Sequence, residues 1–286
     1  MIGAFVGPPI APQRTAVHVT EADGRQRTVL MMTAVRIGGI ATSKVVTVIS
    51  GEGGGVHSHL LAVAADGAIL AMIDGHELTA RRTAAASVLA ARALAKRTPR
   101  VLAVLGAGRQ ARAQAEAFCA CFTIELVRIW ARRTEAARDL ASLIASDGAH
   151  VTVAATPGDA VRGADLVTAA TMSQLPLVRS VDVVSGCHVD LVGGFRPDMR
   201  EADDALMARA MVVTDGAPAL DEAGDLVAAI AAGVLKSADI LLLRDILADQ
   251  RGKTRRDITV FKSVGHAAED LVAVELLLAR IHQAAH

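Results

Sequence analysis

The stretch Gly106-Ala107-Gly108-Arg109-Gln110-Ala111 places small residues at the first, third and sixth positions of a turn. Val101–Leu105 before it are strand-like and apolar, and Arg109–Phe118 after it read as a helix. This arrangement suits a dinucleotide pyrophosphate. Gly106 permits the tight turn, Gly108 lets backbone approach the phosphates, and Ala111 lets helix and strand pack closely. Arg109 and Gln110 lie at the helix N-terminus that would meet the anion. A purely structural turn is the alternative, and the flanking strand and helix favour the dinucleotide. The next strand ends in Trp130-Ala131-Arg132-Arg133. No acid stands there to bind ribose hydroxyls, and two guanidiniums suit a 2′-phosphate. The expected cofactor is therefore NADPH ahead of NADH, with a pair of solvated arginines as the plain alternative.

Other residues are less specific singly. Lys44 sits inside the apolar run Ser43–Ser50, either as edge protection or as a buried amine of lowered pKa. Arg14 and Arg82 are either surface ion-pair partners or anion ligands. Arg82 reads as first-turn in a helix capped by Thr79, where a cation opposes the macrodipole and an anion would relieve it. His57 and His59 share one side of an extended segment, but no third ligand follows at a convincing spacing, so no metal is expected. Glu201 reads as a cap or loop-orienting residue, and His266 has no assigned role. Cys119 and Cys121 point in different directions on a helix. The odd cysteine count reads as reduced and cytoplasmic.

Elements of two kinds must position these groups. The first ninety or so residues alternate strands and turns, with Asp23-Gly24, Glu52–Gly55 and Asp66-Gly67 marking turns. A helix follows from Glu77. From Arg100 onward strands and helices alternate, which requires a parallel sheet with crossover helices. The expected fold class is α/β: a Rossmann-type doubly wound parallel sheet plus a smaller β-rich domain. Residues 97–263 form the dinucleotide-binding part, and 1–96 with 264–286 the substrate and dimerisation part. At 286 residues and 52% hydrophobic, the chain can bury two substantial cores. Zero formal net charge and 2% aromatics argue against nucleic acid. The start, broken by Pro8 and Pro9, does not read as a signal peptide. Charges interrupt every long apolar run, so no membrane partner is expected.

Several segments occur together and in order: APQRTAVHV, ATSKVVTV, AMIDGHELTARRTAAAS, LGAGRQA, VGGFRPDMREAD and VFKSVGHAAED. In these the chain resembles the ornithine cyclodeaminase/μ-crystallin family over nearly its whole length. The resemblance implies a nicotinamide-dependent enzyme acting on amino or imino acids, and a homodimer formed through the N-terminal domain. It matches Arg14 and Arg82 to anion-binding arginines at the substrate and Lys44 to the lysine beside the reacting carbon. His59, Thr83, Thr171, Val192, Gly193 and Gly265 match positions along the cofactor. Gly106, Gly108, Arg109, Gln110 and Ala111 match the phosphate loop, and Ala131, Arg132 and Arg133 the adenosine side. Members usually carry a longer segment before the arginine motif, whereas thirteen residues precede Arg14 here. Cyclodeaminases also carry an aspartate where this chain has Phe195, which implies an apolar pocket wall. The expected activity is NADPH-dependent reduction of a small imino acid, such as a ketimine, pyrroline-2-carboxylate or piperideine-2-carboxylate. The alternatives are an ornithine cyclodeaminase or amino-acid dehydrogenase, and a non-catalytic binder of NADPH and a carboxylate ligand.

Overall fold

In a computed structural model, residues 1–49, 55–95, 98–145, 149–248 and 257–284 are described. The turn expected at Glu52–Gly55 falls largely outside them. The chain divides into two compact units, Met1–Arg82 with Gly265–His286, and Thr83–Val264.

The first unit holds β1 (Thr15–Thr20), β2 (Gln26–Val35), β3 (Ala41–Ile49), β4 (Gly55–Val63) and β5 (Ile69–Asp74) in an antiparallel sheet of order β1-β2-β3-β4-β5. The Asp23-Gly24 and Asp66-Gly67 turns join β1 to β2 and β4 to β5, with both glycines at positive φ. One face carries Met32, Ala34, Thr42, Lys44, Leu60 and Ala62, all buried. The last helix of the chain, Ala267–Ala284, lays Ala267, Leu271 and Val274 onto this face. Those residues sit at helical spacing on one stripe. The opposite face is open and apolar, with Val17, Met31, Val45 and Met72 all more than 40% exposed.

The helix α1 spans Gly75–Leu94, and the unit boundary falls within it. It starts earlier than the sequence suggests. The Asp74 side chain accepts a hydrogen bond from the His76 N–H at 2.7 Å, so Asp74 serves the helix start that Thr79 was expected to cap. Arg82 therefore lies two turns into the helix and escapes the end effect expected of it.

The second unit contains β6 (Val101–Leu105), α2 (Arg109–Cys121), β7 (Leu126–Trp130), α3 (Thr134–Ala145), β8 (His150–Val153), α4 (Pro157–Val161), β9 (Leu166–Ala169), β10 (His188–Leu191), α5 (Asp204–Arg209), β11 (Met211–Thr214), α6 (Ala219–Glu222), α7 (Gly224–Ala231), β12 (Leu241–Leu242), α8 (Leu243–Ala248) and β13 (Thr259–Lys262); the terminal helix is α9. Its eight strands run β12-β11-β13-β10-β9-β6-β7-β8, every pair parallel. The central strands β6, β9, β10, β11 and β13 are buried on both faces, as the middle of a parallel sheet requires, while the edge strands β8 and β12 stay partly exposed. The chain leaves β6 toward β7 and β8, then returns to β9 on the other side of β6. That reversal is a topological switch point, where crevices open beyond the strand C-termini. No described helix is long and apolar enough to cross a membrane.

Candidate functional site

The expected residues fall into two groups, one in each unit. In the first unit Lys44 occupies the central strand β3, so it protects no edge. It is 2% exposed, and its Nζ stands 2.7 Å from Asp270 Oδ2 and 3.4 Å from Thr79 Oγ1. Arg82 is 5% exposed. Its Nε donates to Asp270 Oδ1 at 2.9 Å and its Nη1 to Glu269 Oε2 at 2.7 Å. Two cations and two carboxylates are thus buried together. Burial pulls the Lys44 pKa down, Asp270 opposes this, and Arg82 adds to the lowering. Burial pushes Asp270 up, but Lys44 and Arg82 together hold its carboxyl below the usual carboxylate value. Glu269 and Asp270 lie in the first turn of α9, where the helix dipole favours anions.

Neither Glu269 nor Asp270 was singled out in the sequence. Their signal is positional. Asp270 follows Ala267 by three residues and precedes Val274 by four, so it interrupts the apolar stripe. A charge in that place requires a buried counter-ion.

Gly265 precedes α9 with φ +83°, and a Cβ there would stand 2.6 Å from Arg82 Nη2. In this structure Gly265 makes room for the guanidinium. His266 accepts the Ala268 N–H on Nδ1 at 3.2 Å, which caps α9 and gives this histidine a structural part. Arg14 is half-buried in the segment entering β1, and His59 is exposed on β4 beside His57, whose ring packs 5.6 Å from that of His76. No group of three or more metal-ligating side chains gathers among the described residues.

The second group lines the switch point of the parallel sheet. Gly106 follows β6 with φ +113°, and a Cβ there would stand 2.7 Å from the Ala170 carbonyl oxygen beyond β9. Only glycine satisfies both restrictions. Gly108 is the N-cap of α2 and offers no side chain to its N–H groups. A Cβ at Gly108 would meet nothing within 4 Å, which leaves approach to that backbone open. Ala111 is fully buried against the sheet. A helix start without a side-chain cap, an open approach at Gly108 and a tight turn at a switch point fit a dinucleotide pyrophosphate. Arg109 is exposed and Gln110 half-buried at the same helix start, while Thr83 is buried on α1. Ala131 is half-buried, and Arg132 and Arg133 are exposed in the bend before α3.

Beyond β9 and β10 a buried polar network fixes the loops. The Thr171 N–H and hydroxyl both donate to Glu201 Oε1, at 2.7 and 2.8 Å. Asp225 Oδ1 accepts from the Glu201 and Ala202 N–H groups at 2.8 and 2.9 Å. The Lys262 ammonium lies 3.1 Å from Asp225 Oδ2 and donates to the Gly193 carbonyl, next to Val192. Burial pushes the Glu201 carboxyl up to about 8; Lys262 opposes this and Asp225 adds to it. Glu201 therefore orients the Thr171 loop, while the helix α5 takes its cap from Asp203, which accepts the Leu206 N–H at 2.8 Å. Asp225 and Lys262 were not singled out in the sequence. Their signal is again a charge inside an apolar segment, here DLVAAIAA and TVFK.

Deeper in this unit Asp190 is fully buried and accepts from Thr168 Oγ1 at 2.8 Å. Burial pushes its carboxyl up to about 7, against the Thr168 and Ser87 hydroxyls and Lys262. A carboxyl raised on folding binds its proton more tightly in the folded state. Its contribution is therefore intact below the unfolded value of 3.8 and is lost as pH rises toward 7. Asp190→Asn is expected to raise the melting temperature at mildly alkaline pH and to change it little at pH below 4. Thermal melts across that range measure this, and an equal effect at both ends would contradict the burial argument.

The chain matches the family model of the ornithine cyclodeaminase/mu-crystallin family over residues 7–284. It is 38% identical to the ketimine reductase mu-crystallin of Mus musculus over 243 residues, which is 82% of this chain and 74% of the mouse protein. The structure of Thermococcus litoralis Δ1-pyrroline-2-carboxylate reductase, in complex with NADH and L-proline, superposes with a TM-score of 0.90 at 27% identity, covering 98% of this chain and 89% of that one. An archaeal alanine dehydrogenase dimer with bound NAD superposes with a TM-score of 0.88 at 25% identity, covering 98% and 88%.

These findings correct the cofactor expectation. A structure this similar holds NADH, so NADH does not rank behind NADPH. The physical reason lies in Arg132 and Arg133. Both are exposed, and a solvated guanidinium at a strand end is compatible with either dinucleotide.

Proposed function

The chain belongs to the ornithine cyclodeaminase/mu-crystallin family, and from that premise we propose that it reduces a small imino acid, a ketimine or pyrroline-2-carboxylate, to the amino acid. It is an oxidoreductase acting on C=N and CH–NH bonds. The observation that carries the reading within the chain is Lys44, an amine held against a carboxylate in the interior of a sheet.

The roles follow from the chemistry each residue offers. Gly106, Gly108, Arg109, Gln110 and Ala111 hold the dinucleotide phosphates, with Ala131, Arg132 and Arg133 on the adenosine side. On the family resemblance, Thr83, Thr171, Val192 and Gly193 of the second unit and Gly265 and His59 of the first are assigned to the cofactor. The bound nicotinamide supplies the hydride that adds to the imine carbon. Arg14 takes the substrate carboxylate, and Arg82, whose charge is matched by Glu269 and Asp270 of α9, is assigned beside it on the family resemblance alone. Lys44 hydrogen-bonds at the imine nitrogen and provides its proton. Phe195, half-buried after β10, makes one pocket wall apolar and suits a ring carbon or short alkyl chain.

Cyclodeamination needs a group to accept a proton from the distal amine, and a phenyl ring accepts none. Oxidation of NADH and NADPH in the presence of a panel of cyclic and acyclic imino acids tests the reading. Turnover with at least one of them is expected, together with no ammonia release from ornithine and NAD⁺. Cofactor binding without turnover on the whole panel would favour a binding protein instead, and proline with ammonia from ornithine would favour a cyclodeaminase.

The open sheet face with Val17, Met31, Val45 and Met72 supports a homodimer through the first unit, because apolar patches of this kind mark interaction sites. Light scattering is expected to give twice the chain mass, and a monomer at micromolar concentration would contradict it. No disulfide links Cys119, Cys121 or Cys187, and a cytoplasmic setting is part of the proposal.

A further inference from the structure

We propose that Asp270 is a positioning residue for this reaction: gripping Lys44 with one oxygen and Arg82 with the other, it keeps the Lys44 amine charged and aimed as the proton donor to the imine nitrogen. This rests on the reductase reading given above. Reduction adds a hydride to the imine carbon and a proton to its nitrogen, breaking the C=N π bond. The hydride comes from the reduced nicotinamide, the proton from the Lys44 ammonium, and solvent returns a proton to the neutral amine.

The surroundings of Lys44 show why such a donor needs Asp270. Across the sheet its register partners are Met32 on β2 and Leu60 on β4, both apolar. From α1 it faces the Thr79 hydroxyl and the Arg82 guanidinium. From α9 it faces Asp270 and Glu269. Burial and the neighbouring guanidinium both favour the neutral amine, and only the two carboxylates favour the ammonium. Glu269 takes Nη1 of Arg82, while Asp270 spreads its two oxygens over Arg82 Nε and Lys44 Nζ. Glu269 thus shares the demand of Arg82 and leaves one Asp270 oxygen for the amine. An ion pair on that oxygen also fixes the direction of Nζ, which a flexible four-carbon stem does not do alone.

The test is the titration of Lys44 itself, followed by the 13Cε resonance of lysine-labelled protein and assigned by its loss in Lys44→Met. Asp270→Asn is expected to lower the Lys44 titration by about one pH unit or more. The alkaline limb of kcat/KM for the imino acid should fall by the same interval. The deficit in kcat should be roughly tenfold or more at alkaline pH and shrink in mild acid, with the cofactor KM nearly unchanged. A purely structural part for Asp270 would lower activity evenly at all pH values and leave the resonance titrating as in the unaltered protein, and that result overturns the proposal. If Asp270→Asn does not fold, Glu269→Gln serves. Arg82 then draws more on Asp270, and a smaller downward shift of the same sign is expected; an unmoved titration again overturns the proposal. If the unaltered protein reduces no imino acid, the reductase reading fails, whereas the titration still reports whether Asp270 holds the charge on Lys44.

Discussion

Lys44→Ala is expected to lower kcat for imino-acid reduction by roughly 10²–10⁴-fold, the usual worth of a positioned proton donor. The Kd for NADH or NADPH should stay close to that of the unaltered protein. The asymmetry follows from role: Lys44 serves the imine nitrogen, whereas the glycine turn, the start of α2 and the Thr171 loop are the groups assigned to the dinucleotide. Truncation also removes one of the two cations on Asp270, so folding stability should fall as well; Lys44→Met, which keeps most of the side-chain volume, separates the effects. Stopped-flow reduction and a direct binding isotherm for the cofactor make the comparison. Equal losses in turnover and in cofactor affinity would show that Lys44 supports the fold rather than the proton.

Arg82→Ala carries the other large effect, and it is expected in stability. Removal leaves Glu269, 0% exposed, without the guanidinium at 2.7 Å, and leaves Asp270 with Lys44 alone. Breaking a buried pair by deleting one partner costs roughly 3–5 kcal/mol, because the remaining charge stays desolvated. Urea denaturation should show a matching fall in midpoint with little change in slope. Glu269→Gln in the Arg82→Ala background should recover part of the loss, since it removes the stranded charge. A loss below about 1 kcal/mol, the range of exposed pairs, would mean that Arg82 is held less firmly by α9 than its hydrogen bonds indicate.

Much of the architecture was legible because its signals are local. Alternating strands and helices after Arg100 specify a parallel sheet, and the Asp23-Gly24 and Asp66-Gly67 turns fall between antiparallel strands as written. The glycine turn was legible because a strand, a positive-φ residue and a helix start are contiguous in sequence. The partners of the site residues were not. Asp270 is 226 residues from Lys44, and the Thr171, Glu201, Asp225 and Lys262 network joins four separated segments. Charges that meet only after folding announce themselves singly, as polar residues in apolar stripes, and never as pairs. The start of α1 was misplaced for a related reason. Thr79 has the right side chain for a cap, but Asp74 reaches the helix start first, and Thr79 instead turns its hydroxyl toward Lys44. Cofactor choice was read from the missing acid at the end of β7 and from Arg132 and Arg133, but exposed arginines can serve either dinucleotide.

The most direct test of the central claim is the fate of a single labelled hydride. Reduced nicotinamide dinucleotide carrying deuterium at C4 of the transferring face, incubated with the protein and a cyclic imino acid, should place one deuterium on Cα of the amino-acid product per cofactor oxidised, as mass spectrometry of the product reads. Oxidised cofactor with no deuterium in the product, or a protein that binds the dinucleotide and transfers nothing to any imino acid offered, would contradict the account.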